Sequence, residues 1–299
     1  MINQGPLTDI IFELISKGFF KDIHSVIDMG DQDFKISIDY YNEKTKYFNI
    51  EKKKDLINLI KATDDYSKSI SSSFFWKSIG IKKCDRLDIL FKKRHSLESK
   101  NFKKINFDLN YEFNNNSYVN KYDLVTDFGN NEHPFNIAET FKTMHKLCKK
   151  NGILWAMQSV INGNGFYNFN TVFFEHLSAF NKYTTLYSFF VVKFKNSKDY
   201  IITFPNLNLI NKINNNFLDS EISINYIFRK NSNEDFKIPY QTMSFEGKKD
   251  ALFIMDINNG KYSKEETYIL NSIKDLNYFL LLKEVFLRIL RKIKLFNLN

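Results

Sequence analysis

The sequence predicts an α/β fold, with a mostly parallel β-sheet covered by helices and followed by a C-terminal amphipathic helix. Short apolar runs that end near Asp or Gly alternate with helical segments along most of the chain, which is the pattern of βαβ units. Only four prolines and ten glycines interrupt the sequence, so a single main domain is expected. Towards the end of the chain, large apolar residues instead recur at three- and four-residue steps, as in one long amphipathic helix.

In the N-terminal half, the spacing of apolar residues predicts helices and the short apolar runs predict strands. Gly80 is the expected stop of the third helix. The predicted helices are Leu7–Lys17, Glu51–Ile60 and Ser67–Ile79. The predicted strands are Ser25–Gly30, Lys83–Ile89 and Lys104–Phe107.

In the second half, a strand is predicted before a strongly amphipathic helix that Gly152 should end. The predicted helices here are Asn136–Lys150 and Thr171–Asn181. The predicted strands are Asp123–Thr126, Ile153–Gln158, Thr185–Phe194 and Ile222–Phe228, the last of them at the sheet edge. Residues 1–230 are therefore expected to form the main domain, and residues 231–262 are expected to form a loop-rich connection. Residues 263–299 are expected to form the amphipathic helix, which would serve oligomerisation or contact with a membrane surface.

Composition narrows the class of protein. With 299 residues, 43% of them hydrophobic and 26% charged, the chain can bury a core and is not of the disordered class. No apolar stretch approaches the roughly 18 residues that a membrane span needs. The net charge of +9 comes largely from scattered lysines, so nucleic acid is not the expected partner. Two distant cysteines predict neither a disulfide framework nor a zinc site, and fit a cytoplasmic location.

Several residues that can bind a nucleoside follow the predicted strands. In parallel sheets, ligands bind beyond the carboxyl ends of the strands, where Gly30, Asp88 and Asp108 are expected. A carboxylate accepts hydrogen bonds from both ribose hydroxyls or from an adenine amino group, and a glycine permits close approach of the backbone. The order of Gly30, Asp88 and Asp108 along the chain favours a nucleoside-containing cofactor. Each Asp by itself is also typical of a turn or a helix cap.

The segments that contain these residues resemble class I S-adenosylmethionine-dependent methyltransferases. In chain order they read VIDMG, IKKCDRLDI, INFDLN, YDLVTDFGNNEHPFN and FKTMHKLCKKNGILWAMQSV. The turn Glu132–Asn136 (EHPFN) and the segment Asn164–Phe169 (NGFYNF) resemble, more narrowly, a bacterial methyltransferase-like group with an EHxFN turn. The resemblance covers roughly residues 20–195 and implies a Rossmann-like doubly wound sheet whose last strand is antiparallel.

The resemblance also implies S-adenosylmethionine as cofactor and assigns a role to each matching residue. Asp28 and Gly30 would lie at its methionine end, Asp88 at the ribose hydroxyls, and Asp108 with Leu109 at the adenine. The residues expected to line the remaining cofactor pocket are Asp127, Phe128 and Gly129.

The first loop departs from the family pattern. It reads Gly30–Asp31–Gln32–Asp33–Phe34, without the further glycines whose bare backbone surrounds the cofactor's methionine portion. Two carboxylates at this place would favour the cationic amino and sulfonium groups, but side chains would also crowd the ligand. A non-catalytic methyltransferase-like domain is therefore a rival interpretation.

Methyl transfer requires mainly alignment, because the sulfonium is already activated. Where the acceptor must lose a proton, His133 with Glu132 is the candidate base; the alternative is that residues 130–133 only cap the following helix. Phe166, Tyr167 and Asn168 are the candidate acceptor-binding residues. No metal-binding motif is present in the sequence, so no metal is expected.

The predicted function is therefore that of an S-adenosylmethionine-dependent methyltransferase acting on a small-molecule or glycan acceptor. The alternatives are a catalytically inactive binding or scaffold domain and an RNA methyltransferase. The last is supported only by net charge, since the sequence has no NPPY- or DPPY-like motif after the fourth strand. A homodimer formed through the C-terminal helix is a further expectation.

Overall fold

The structure is a computed structural model that describes residues 2–62, 70–90, 102–194, 200–203 and 220–240. Its strands are β1 (Ile2–Asn3), β2 (Ser25–Met29), β3 (Asp33–Lys35), β4 (Ile70–Ser71), β5 (Lys83–Asp88), β6 (Lys104–Asn106), β7 (Tyr122–Phe128), β8 (Cys148–Ile161), β9 (Thr184–Lys193), β10 (Tyr200–Thr203) and β11 (Glu221–Arg229). Its helices are α1 (Pro6–Ser16), α2 (Ile38–Tyr47), α3 (Lys54–Ala62), α4 (Ser72–Ser78), α5 (Ile137–Leu147) and α6 (Thr171–Phe180).

The main sheet has eight strands in the order β10-β9-β11-β8-β7-β2-β5-β6. The neighbours from β8 to β6 pair in parallel, whereas β11 runs antiparallel to both β8 and β9. The prediction of a Rossmann-like, mostly parallel sheet with an antiparallel last strand is confirmed.

The predicted place of β11 at the sheet edge is wrong. The strand lies between β8 and β9, and β10 forms the edge instead. Its sequence explains this position, because Ile224, Tyr226, Ile227 and Phe228 are all buried and the last three are consecutive. A strand with apolar side chains on both faces is covered on both faces.

Each face of the sheet has its own apolar layer. One layer contains Phe12 of α1 and Trp76 of α4 together with Trp155. The other contains Phe141 of α5 and Phe174 of α6. Alternation of side chains along each strand separates the two sets, so the helices lie on both sides of the sheet, as in a doubly wound fold.

The segment between β2 and β5 holds more structure than the sequence predicted. It contains α2, and β3 and β4 form a small three-stranded sheet with β1. The sequence of α2, IDYYNEKTKY, is mostly polar and buries only Tyr41 and Thr45, so its apolar periodicity is weak. The helix begins because Ser37 Oγ accepts the Tyr40 N–H at 3.2 Å.

The helix predicted over Ser67–Ile79 is shorter in the structure, because residues 70 and 71 form a strand and α4 begins at Ser72. Helix α5 also ends earlier than predicted, at Leu147, and Gly152 lies within β8 rather than ending a helix. The Lys230 ammonium stabilises that end, because it donates to the carbonyls of His145 and Cys148 at 2.8 Å each. A basic side chain near a helix C-terminus can satisfy the last carbonyls in this way.

The predicted amphipathic helix at 263–299 and most of the predicted connection at 231–262 lie outside the described residues. Residues 231–240 have no helix or strand, and the division of the chain into domains stays a prediction. Within the described ranges, none of the helices combines the length and apolar character that a membrane crossing requires.

Candidate functional site

The candidate site lies at the carboxyl end of the parallel strands. Gly30 follows β2, Asp88 ends β5, Asp108 follows β6, and the turn at 129–136 follows β7. Because β6, β5, β2 and β7 are neighbours and parallel, these positions meet at one edge of the sheet, as the sequence predicted.

Asp88 ends β5, and its carboxylate accepts two backbone hydrogen bonds. Its side chain is half-buried, and its Oδ2 accepts the Asp31 N–H at 2.6 Å. Its Oδ1 accepts the Leu90 N–H at 3.2 Å. Each carboxylate oxygen can accept more than one hydrogen bond, so these two contacts orient the group and leave it capacity for a ligand.

Gly30 occupies a position where only glycine fits. Its φ of 86° lies in the left-handed region, and its N–H donates to Leu87 O at 2.7 Å. A Cβ there would be 2.7 Å from Asn130 Oδ1. The residues therefore fit a nucleoside at Asp88, while the side chains of Asn130 and Gln32 stand beside Gly30, where the methionine portion of the cofactor is expected.

Asp108 is half-buried and forms a turn. Its Oδ1 accepts the backbone N–H of Asn110 at 2.9 Å and the Asn110 side-chain amide at 2.8 Å. Leu109 is buried in the apolar layer that contains Phe141. The predicted adenine contact of this pair thus involves a rigid turn with an apolar residue beside it.

Asp28 requires a correction, because its carboxylate does not face the edge of the sheet. The residue is fully buried and accepts hydrogen bonds from Ser72 Oγ, Thr126 Oγ1 and, at 3.0 Å, Trp76 Nε1. Burial raises the pKa of this carboxyl above its usual range. Asp28 ties α4 to β2 and β7 and contacts no open space.

Asp127 and Phe128 require the same correction. Asp127 is fully buried and accepts the N–H groups of Asn130 at 2.9 Å and Asn131 at 3.2 Å. Its other oxygen accepts from Gln158 Nε2. Burial, with the nearby Glu132 carboxylate, raises the pKa of Asp127 to about 8 despite these hydrogen bonds.

Phe128 is 2% exposed and packs edge-on against Trp155 at 5.2 Å between ring centroids, so its side chain belongs to the core. Gly129, by contrast, has a φ of 76° and open space where a Cβ would be. Of the three residues predicted to line the pocket, only Gly129 lies at an open surface.

Glu132 and His133 differ sharply in exposure. Glu132 is 3% exposed, and its Oε2 accepts the Ser159 N–H at 2.8 Å. The His133 side chain is 46% exposed, with Nε2 3.9 Å from Glu132 Oε1. The turn thus places a fixed carboxylate next to an exposed imidazole.

The helix-cap alternative for this turn is not what the structure shows. The N-cap of α5 is Asn136, which makes no side-chain capping bond. Its backbone N–H donates to Asn110 Oδ1 at 3.0 Å instead. The turn at 130–133 therefore has its own geometry, separate from the start of the helix.

The structure joins the turn at 129–136 to the predicted acceptor segment. Glu132 O accepts the N–H of Phe166 at 2.8 Å and of Tyr167 at 3.3 Å. Tyr167 Oη donates to Phe135 O at 2.5 Å. The rings of Phe135 and Phe166 meet edge-on at 6.3 Å, and both are exposed, by 77% and 73%.

Two further residues lie next to the contact between the turn and the segment 164–169. Gly165 packs against the turn so closely that a Cβ would be 2.5 Å from Glu132 O. Asn168 is exposed next to Phe169, which is buried in the core with Phe174. The exposed part of the segment therefore ends at residue 168.

Sequence reasoning missed Arg86 and the partners of the two buried carboxylates, Ser72, Thr126, Trp76 and Gln158. Arg86 has a 2% exposed side chain and pairs with Asp31. An arginine in the middle of the predicted strand KCDRLD was a visible signal, since an arginine that is buried there needs an acidic partner. The described residues contain no group of three or more His, Cys, Asp or Glu that could hold a metal ion.

No protein-family model matches the sequence, and neither does any curated protein. Similar solved structures include the YcgJ protein from Bacillus subtilis, which is 9% identical with a TM-score of 0.41 over 74% of this chain and 98% of that one. A SAM dependent methyltransferase from Archaeoglobus fulgidus is 12% identical, with a TM-score of 0.38 over 73% of this chain and 94% of that one.

A third is the 1,6-didemethyltoxoflavin-N1-methyltransferase from Burkholderia thailandensis, solved with 1,6-didemethyltoxoflavin and S-adenosylhomocysteine bound. It is 9% identical, with a TM-score of 0.35 over 75% of this chain and 79% of that one. The narrower bacterial group with an EHxFN turn stays a prediction. By the order and direction of its own strands, the chain has a Rossmann-like doubly wound fold in which β11 runs antiparallel between β8 and β9.

Proposed function

We propose that the protein is an S-adenosylmethionine-dependent methyltransferase that acts on a small-molecule or glycan acceptor. The observation that carries this proposal is the meeting of Gly30 and Asp88 at the carboxyl edge of neighbouring strands β2 and β5. One residue permits close approach of a ligand, and the other offers an oriented carboxylate for a ribose. The strand order supports the same conclusion, because this edge is where such folds bind nucleosides.

The cofactor would supply a methyl group that is already activated for transfer. Asp88 would bind the ribose hydroxyls and Asp108 with Leu109 the adenine, while Gly30 and Gly129 give room to the backbone around the ligand. Asp28 and Asp127 hold the strands and the turn in place beneath these residues.

His133 is the proposed base for an acceptor hydroxyl or amine. Glu132 positions its imidazole, and Ser159 fixes Glu132 in turn. The proton that leaves the acceptor would pass to an imidazole nitrogen of His133.

Phe135 and Phe166 are the proposed contact for the acceptor's apolar face. Their rings are exposed, while the N–H groups of Phe166 and Tyr167 donate to the Glu132 carbonyl and hold the segment against the turn. Asn168 adds an exposed amide to this surface. Aromatic rings with neighbouring amides favour an uncharged ring compound, which includes both flat aromatic molecules and sugars.

A binding or scaffold domain without catalysis is the second candidate. The side chains of Asn130 and Gln32 beside Gly30 favour it, since they occupy space next to the only glycine of the first loop. The two candidates differ in whether the folded chain binds the cofactor at all.

The deciding experiment is calorimetry of the full chain with S-adenosylmethionine and S-adenosylhomocysteine up to millimolar concentration. We expect saturable binding with a dissociation constant in the range of about 1 μM or weaker, and a matching rise in melting temperature. A folded protein that shows neither a heat of binding nor a rise in melting temperature would favour the interpretation as a scaffold domain without catalysis.

A further inference from the structure

Asp31 contacts β5 at two points, next to the hydrogen bond that the Gly30 N–H donates to Leu87 O. Its backbone N–H donates to Asp88 Oδ2 at 2.6 Å. Its carboxylate pairs with the Arg86 guanidinium, and the two side chains are only 4% and 2% exposed. Asp31 therefore contacts the buried charge of Arg86 through its carboxylate and the half-buried carboxylate of Asp88 through its backbone N–H.

Arg86 and Asp88 are two residues apart on β5, so their side chains leave the same face of the strand. Asp31 spans both of them from the neighbouring loop. The second oxygen of Asp88 accepts the Leu90 N–H at 3.2 Å. The Asp88 carboxylate is thus held from two sides in one orientation, which lowers the cost of fixing it when a ligand binds.

The loop owes its shape to side chains rather than to glycines. The loop has no glycine after Gly30, and the next glycine in the chain is Gly80. Within the same turn, Gln32 Nε2 donates to Met29 O at 3.1 Å. A buried ion pair between Asp31 and Arg86 is sensitive to geometry, because each partner left alone would be an uncompensated charge. This pair therefore fixes where the Asp31 N–H points.

We propose that Asp31 is the positioning residue for Asp88: its ion pair with Arg86 fixes the first loop so that the Asp31 N–H aims the Asp88 carboxylate at the vicinal hydroxyls of the cofactor's ribose. The proposal rests on the proposed function, since it assumes that a ribose binds at Asp88. It explains how a loop with one glycine retains a ribose-binding carboxylate.

The test compares two ligands by calorimetry, S-adenosylhomocysteine and its 2′,3′-dideoxy analogue. The wild-type chain should prefer the ligand with hydroxyls by roughly tenfold or more, as expected for hydrogen bonds to a charged acceptor. Asp31→Asn keeps the size of the side chain and removes its charge. It should reduce this preference by roughly fivefold while changing the affinity for the analogue by less than about twofold.

Asp85→Asn is the matched control. Asp85 is also a buried aspartate of β5, but it faces the other side of the strand and accepts from Tyr122 Oη at 2.7 Å and from Lys103 N at 3.2 Å. Its replacement should lower the melting temperature and leave the preference between the two ligands unchanged.

Equal losses of both ligands in Asp31→Asn, or an undiminished preference, would overturn the positioning role while leaving the proposed function intact. Binding of neither ligand by the folded wild-type chain would overturn both. Because loss of the Asp31 carboxylate can prevent folding by weakening the compensation of the buried Arg86 charge, the double variant Asp31→Ala/Arg86→Met, which removes the pair as a unit, should show the same selective loss.

Discussion

The two halves of the candidate site are built in opposite ways. Around Gly30 and Asp88, the loop is held by buried charge, with Arg86 paired to Asp31 and little side-chain exposure. Around His133, the backbone is held by hydrogen bonds that Glu132 accepts, and the side chains of His133, Phe135 and Phe166 are exposed. If the proposed function holds, the half around Asp88 is the cofactor half and is fixed in advance, whereas the half around His133 is the acceptor half and presents exposed groups.

The largest effect should come from the acceptor half. His133→Asn is expected to lower turnover by roughly 10²–10⁴-fold, the usual contribution of a general base, while leaving cofactor affinity nearly unchanged. Single-turnover kinetics with a methyl acceptor, together with calorimetry for the cofactor, would measure both quantities.

The control for this variant is His24→Asn, since His24 is exposed and precedes β2 at the opposite edge of the sheet. Turnover of His133→Asn equal to that of the control would show that the imidazole takes no part in transfer. A parallel loss of cofactor affinity would show that the two halves are not independent.

In the cofactor half, Asp88→Ala should weaken binding of S-adenosylhomocysteine by roughly 10–100-fold, because a charged acceptor contributes about 1.5–3 kcal/mol through its hydrogen bonds. The variant should also loosen the first loop, since the Asp31 N–H loses its acceptor. Calorimetry measures the affinity. An unchanged dissociation constant would place the ribose elsewhere.

A smaller effect is expected from the aromatic surface. Phe135→Ala and Phe166→Ala should each raise the acceptor KM by roughly 3–10-fold, the amount expected when an aromatic contact is lost, with cofactor affinity unchanged. Tyr47→Ala is a matched control, because Tyr47 is also half-exposed and in edge contact with a neighbouring ring, at the far end of α2. Steady-state kinetics that do not separate these variants from the control would remove the aromatic pair from the acceptor site.

The smallest effect on activity is expected at Asp127, where the change is in pH-dependent stability. Its pKa is raised to about 8 in the folded chain from an ordinary value of 3.8. The unfolded chain therefore releases this proton at lower pH than the folded chain, and the stabilising contribution is lost as pH rises from about 4 to about 8. Asp127→Asn carries no such charge and should flatten this dependence.

Melting temperatures of wild type and Asp127→Asn between pH 4 and 9 provide the measurement. The two curves should converge at low pH and separate as pH rises, with the variant the more stable. Curves that stay parallel across this range would mean that Asp127 ionises in the folded state as it does in the unfolded chain.

The sequence predicted the site best where a strand pattern ends directly at a glycine or an acidic residue. The run SVIDMG ends at the glycine whose φ is 86°, and KCDRLD ends at the carboxylate that faces the same edge. Parallel strands bring their carboxyl ends together, so placing the strands was sufficient to bring Gly30 and Asp88 near one another.

The same reasoning failed where a polar residue became buried. Asp28 and Asp127 are separated from Gly30 and Gly129 by a single residue each, yet both carboxylates are fully buried and bound by neighbours from other elements. Alternation along a strand fixes which face a side chain takes, but the partners Trp76 and Gln158 come from distant parts of the chain.

The sequence by itself determined the alternation of strands and helices, the glycine that follows the first strand of the main sheet and the acidic ends of the next two. These features depend on periodicity and on the conformations that a glycine permits, which are local properties. The tertiary structure decided that β11 lies inside the sheet, that Asp31 bridges Arg86 and Asp88, and that Glu132 joins the turn to Phe166. Each of these pairs residues far apart in sequence, and such pairs form only when packing of the whole sheet brings their elements together.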